Sequence, residues 1–127
     1  MVDVGAWDGK HLSNTYALLN DMSQTNLATE LRPKWSGILL EADSCRFQQL
    51  QSLYANNESV VCVNCLVCLE GPNSLSNQLS SHNITKFPDL LSIDIDGCDY
   101  FLWKEVRLFC FHYILSNKTS KWTKSGG

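Results

Sequence analysis

The 127 residues are 44% apolar and 18% charged, which suits one globular core and excludes a disordered or low-complexity chain. Residues 1–103 carry twelve acids against five lysines and arginines, whereas residues 104–127 carry one acid against five such bases. The acidic main body argues against a nucleic-acid partner, and no apolar run approaches the ~18 residues that a membrane span needs. The start lacks the basic-then-apolar order of a secretory signal, so a cytoplasmic chain with six reduced cysteines is expected. On that reading the sequons at Asn57, Asn83 and Asn117 are chance matches.

In chain order, Met1-Val-Asp-Val-Gly-Ala-Trp-Asp-Gly9 opens as a buried strand with Asp3 inside it. Gly5 and Gly9 bracket a loop that must turn tightly and let backbone approach a small molecule. Lys10 to Asn20, with His11, Leu12, Tyr16, Ala17, Leu18 and Leu19, reads as the first crossover helix. Residues 21–34 are polar and end in Arg32-Pro33-Lys34, a loop with at most a helical turn near Leu27 to Leu31.

Gly37 to Leu40 then forms a short buried strand that stops at Glu41. Asp43 or Ser44 can cap the next helix, in which Phe47, Leu50, Leu53 and Tyr54 share one face. Val60 to Val67 is a third strand, broken by Glu70-Gly71-Pro72, and residues 73–87 hold a weak helix around Leu75 and Leu79. Leu90 to Ile95 is a fourth strand, Asp99 to Val106 a short helix with Asp99 as its cap, and Leu108 to Leu115 a candidate fifth strand. Ser116 to Gly127 is polar and basic and reads as a disordered tail.

Alternating strands and helices predict an α/β fold, a Rossmann-like doubly wound and mostly parallel sheet with helices on both faces. Such a sheet binds ligands outside the carboxyl ends of its strands, where strand order reverses. Asp3, Gly5, Gly9, Glu41 and the Asp94/Asp96 pair all fall near those ends.

Three stretches carry a family likeness: Val2 to Gly9 followed by Ser13-Asn-Thr-Tyr16; Trp35 to Asp43; and Leu91-Ser-Ile-Asp-Ile-Asp-Gly-Cys-Asp-Tyr100. Together they resemble the FkbM-type branch of class I S-adenosylmethionine-dependent methyltransferases, over residues 2–106. The resemblance implies that Asp3 and the loop Gly5, Ala6, Trp7 to Gly9 surround the methionine part of S-adenosylmethionine. It implies that Glu41, beside Ala42, binds the ribose, since a carboxylate offers two acceptors to a vicinal diol. Adenine would lie near Asn64 to Leu66, at Cys65, with Asp94 facing the crevice.

Asp94 and Asp96 are the catalytic candidates. Either could take a proton from a hydroxyl acceptor, or the pair could hold a divalent cation that lowers the acceptor's pKa. Strand periodicity would put both on one face, where repulsion raises one pKa. The acceptor itself, a small molecule or something glycan-like, has no signature in the sequence. A truncated remnant that binds cofactor or a partner without transferring a methyl group is the alternative. A nicotinamide-dinucleotide-binding domain is a further one, opposed by Trp7 where that loop wants its middle glycine.

The blander readings are equally concrete. Trp7 can stack by the ligand or pack under its loop, and His11, His82 and His112 share no metal-like spacing. Cys62, Cys65 and Cys68 resemble part of an iron–sulfur run, but Pro72 stands where a fourth cysteine belongs, so they read as buried hydrophobes and no metal site is assigned. The family's strands six and seven have no counterpart here. The domain is therefore expected to end near residue 106, with residues 107–115 a divergent fifth strand whose bare edge invites self-association.

Overall fold

The computed structural model describes residues 1–20, 34–84, 88–106, 113–116 and 123–124. Among them, strands and helices alternate: β1 (Val2–Val4), α1 (Tyr16–Leu19), β2 (Gly37–Glu41), α2 (Ser44–Leu53), β3 (Val60–Asn64), α3 (Leu75–Ser81), β4 (Leu90–Ile93), α4 (Asp99–Glu105), β5 (Tyr113–Ser116) and β6 (Thr123–Lys124). The sheet runs β3-β2-β1-β4-β5-β6, parallel throughout except that β6 lies antiparallel on β5. This is a small α/β, Rossmann-like arrangement in which strand order reverses between β1 and β4.

The two-residue alternation of the strands divides the core into two layers. Val2, Val4, Ile38, Leu40, Leu91 and Ile93 face Leu75 and Leu79 of α3 and Leu102 and Val106 at α4. Leu39 and Leu90 face the other way, into a cluster with Leu19 of α1 and with Leu50 and Tyr54 at α2. Asp3 and Ser92, register partners across β1 and β4, interrupt that second layer with polar groups. The helices form where capping permits: the Asp43 carboxylate accepts the Arg46 N–H at 2.8 Å, and the Ser74 hydroxyl accepts from Asn77.

Several boundaries differ from the sequence reading. The first crossover helix spans only Tyr16–Leu19, because side chains capture the backbone N–H groups ahead of it. Asp8 accepts from Lys10 and His11, Ser13 accepts from Thr15 and Tyr16, and Leu12 adopts a left-handed φ of 52°. β3 stops at Asn64, whose side chain turns back to the Glu41 and Ala42 carbonyls.

β4 stops at Ile93, and Asp96 (φ 56°) and Gly97 (φ 142°) then leave extended geometry. Strand periodicity therefore does not place Asp94 and Asp96 on a common face. Asp99 is not the cap of α4, a position held by Cys98; it lies buried in the first turn and accepts the Ile95 N–H at 3.2 Å.

At the far edge, β5 pairs in parallel with β4 from Tyr113 to Ser116; the earlier part of the expected strand, 108–112, lies outside the described residues. The segment read as a disordered tail contains β6, which pairs Thr123 and Lys124 with Ile114 and Tyr113 and so covers part of the β5 edge. The turn expected near Leu27 to Leu31 lies outside the described residues. Among the described residues no helix is long and apolar enough to cross a membrane.

Candidate functional site

An open cleft of about 680 Å³ lies at the carboxyl ends of β1, β2, β3 and β4. Three loops build its walls. Gly5 and Trp7 come from the β1 loop, Glu41, Ala42 and Arg46 from the β2 end and α2, and Asp94, Ile95, Asp96 and Cys98 from the β4 loop. Cys65, Leu66 and Val67, just past β3, close the remaining side.

Backbone hydrogen bonds hold these loops together. The Gly5 and Ala6 N–H groups both donate to the Leu40 carbonyl, at 2.9 and 3.1 Å, and Asp94 N–H donates to Val4 at 2.9 Å. Gly5, at φ 81°, passes so close to the β4 loop that a Cβ on it would stand 2.1 Å from the Asp94 carbonyl oxygen. Gly9, at φ 79°, is constrained by its dihedral angle, and its Cβ would meet only the movable end of the Leu50 side chain, at 2.6 Å from Cδ1. Both bracketing glycines are thus required by dihedral angle, and Gly5 by packing against backbone as well.

Glu41 is the hub. Its side chain is buried, and its two oxygens accept the Trp7 N–H at 2.7 Å and the Asp43 N–H at 2.8 Å. Each carboxylate oxygen has a second lone pair, so the group remains able to accept from a diol at the cleft. Trp7 does not pack beneath its loop. It is 44% exposed with φ 54°, and the Arg46 guanidinium carbon lies over the indole, 3.9 Å from the ring centroid.

Asp3 occupies a different place from the other acids. It is only 4% exposed, accepts the Thr15 hydroxyl at 2.7 Å, and borders a small chamber of about 40 Å³ shared with Trp7, His11, Asn14, Ser92 and Asp94. Burial pushes its pKa up to about 6; Thr15 and Ser92 pull it back, and the charges of Asp94 and Glu41 push it further upward. Gly5, Trp7, Leu12 and Asp94 line both the chamber and the cleft, so the two spaces adjoin.

Of the residues singled out in the sequence, Gly5, Trp7, Glu41, Ala42, Cys65, Asp94 and Asp96 line the cleft. Asp3, Ala6 and Asp94 line the chamber, while Gly9 stands behind the loop against α2. Among the described residues no group of three or more His, Cys, Asp or Glu side chains is disposed to hold a metal ion. The Cys62–Cys65–Cys68 run is less buried than expected: Cys62 and Cys65 are half-buried and Cys68 is exposed. Burial raises the Cys65 thiol, and the neighbouring Cys68 raises it further.

Arg46 went unremarked in the sequence, although its position three residues after a capping Asp43 puts it in the first turn of α2, beside the strand end. Asn14, Thr15 and Ser92 lie within stretches that carry the family likeness but have no role assignable from sequence, because short polar residues carry no spacing signal until the fold gathers them around Asp3. Comparison of the chain with protein-family models, curated proteins and solved structures gives no match.

Proposed function

We propose that this chain is the cofactor-binding core of an S-adenosylmethionine-dependent methyltransferase acting on a hydroxyl acceptor. The observation that carries the reading is convergence. The glycine-bracketed loop, the strand-end Glu41 and Asp94/Asp96 lie far apart in sequence yet line one cleft at the point where strand order reverses. The charge of the cleft fits the ligand, because among the described residues that line it Glu41, Asp94 and Asp96 oppose Arg46 alone, and a sulfonium with an ammonium is cationic.

In this reading Glu41 accepts both ribose hydroxyls, Cys65 and Leu66 flank the adenine, and Trp7 lies along the methionine part. Asp3, at the chamber, faces the methionine ammonium. The sulfonium supplies an already activated methyl group, so the protein's share of the catalysis is mainly alignment. Asp94, shared by chamber and cleft, stands where donor and acceptor meet and takes the acceptor proton.

Calorimetric titration with S-adenosylhomocysteine and with NAD, on the wild-type chain and on Glu41→Gln, tests the proposal. Binding of S-adenosylhomocysteine that weakens roughly tenfold or more in the variant is expected, the size of a lost charged hydrogen-bond acceptor. No binding of S-adenosylhomocysteine by the wild type refutes the reading, and preferential binding of NAD replaces it. Circular dichroism of the variant guards against misfolding as the cause of lost binding.

A further inference from the structure

Among the described residues Arg46 is the one basic side chain lining the cleft, and its placement is specific. The Asp43 cap fixes the first turn of α2, and the guanidinium lies over the Trp7 indole at 3.9 Å. Trp7 is itself fixed, through its backbone N–H, to Glu41 Oε2. Among the described residues the guanidinium donates no hydrogen bond and joins no ion pair, although three carboxylates share the cleft with it. A guanidinium stacked on an aromatic face keeps its edge donors free, and that edge matches a carboxylate in bidentate geometry.

We infer that Arg46 is a specificity-determining residue that receives the α-carboxylate of the cofactor's amino-acid end. The inference rests on the cofactor reading given above. A zwitterionic amino-acid end needs opposite charges at two points, and the loop expected to hold it is walled by acids at the chamber and by Arg46 over Trp7. Without Arg46 the acidic cleft would favour any cationic nucleoside. With it, the cleft selects one that carries an anionic group as well.

The test compares S-adenosylhomocysteine with its decarboxylated analogue, which keeps the nucleoside, thioether and ammonium and lacks only the carboxylate. Titrations use the full chain as wild type, Arg46→Met and Arg46→Lys. Wild type is expected to bind the decarboxylated ligand roughly tenfold to a hundredfold more weakly. Arg46→Met should lose that same factor for S-adenosylhomocysteine and bind the analogue as wild type does, while Arg46→Lys keeps part of the discrimination as a point charge.

Equal weakening of both ligands by Arg46→Met overturns the inference, since it marks a residue that merely props Trp7. Equal wild-type affinity for the two ligands overturns it as well. Wild-type failure to bind S-adenosylhomocysteine removes the cofactor reading together with this one, whereas tight but undiscriminating binding removes this one alone. Arg46 is exposed, so the variants should remain folded, and unchanged far-UV spectra check that point.

Discussion

Replacing Asp3 by asparagine isolates the acid with the strongest environmental signature in the described structure. In the native state its carboxyl is buried between the Thr15 hydroxyl and Ser92, and its pKa stands at about 6 rather than the ordinary 3.8. The fold thus prefers the protonated form, whereas the unfolded chain ionises freely. Its contribution to stability is fully present below pH 3.8, is lost as pH rises towards about 6, and is constant above that. The gap corresponds to about 3 kcal/mol, a large share of the ~5–15 kcal/mol that holds a domain together.

Asp3→Asn cannot ionise, so the stability difference between wild type and variant should move by about 2 kcal/mol in the variant's favour between pH 4 and pH 7. Urea unfolding followed by circular dichroism across that range measures it. Asp8 does not interfere. Although desolvation pushes its pKa up, hydrogen bonds from the Lys10 and His11 backbone and from the His11 ring draw it down to about 2, so its contribution is present above the ordinary 3.8 and is lost only as pH falls below that value. A wild-type-minus-variant difference that stays flat from pH 4 to pH 7 would refute the assignment of Asp3 as a buried, destabilised carboxylate.

Further substitutions probe the loops and core. Gly5→Ala should destabilise the chain by about 2 kcal/mol or more, since its Cβ would meet the Asp94 carbonyl at 2.1 Å and its φ is 81°; thermal unfolding reads this directly. Leu12→Asn should raise stability by up to about 1 kcal/mol, because Leu12 is 87% exposed and holds a left-handed φ of 52° that asparagine tolerates better. Leu79→Ala, in the fully buried face of α3, should cost about 2–5 kcal/mol. Leu53→Ala, at the half-open end of α2, should cost well under that in the same urea titration.

The strands were legible because a parallel strand buried on both faces leaves a nearly continuous apolar run, as in Gly37 to Leu40 and, but for Ser92, in Leu90 to Ile93. The helices around Leu50 and Leu79 were legible for a similar reason, their apolar spacing. Boundaries failed where one polar side chain decided them. Asp8 and Ser13 replace the first two turns of the expected first helix, and Asn64 ends β3 by reaching back to β2. Ile95 and Asp96 read as strand, yet the left-handed turn at Asp96 cannot be seen in an alternating pattern that continues through it.

Candidate site residues at strand ends were found because apolar runs stop there. Those that the fold brings in from elsewhere, Arg46 above Trp7 and Thr15 and Ser92 around Asp3, depend on contacts between distant segments. β6 was missed for another reason. Two residues in a polar, basic stretch carry no strand signal, and their pairing comes from the free edge that β5 presents.

Asp3, Glu41 and Asp94 also form one electrostatic unit, because the latter two charges each push the Asp3 pKa upward. A cation held between them would reverse that push and draw Asp3 back towards ionisation, so binding would release a proton near pH 6. Affinity for S-adenosylhomocysteine, whose ammonium stays charged throughout, is therefore expected to rise between pH 5 and pH 7 and to lose that rise in Asp3→Asn. Calorimetry in two buffers of different ionisation enthalpy counts the proton. A binding curve indifferent to pH in the wild type would separate Asp3 from the ligand and leave it to the packing of α1 alone.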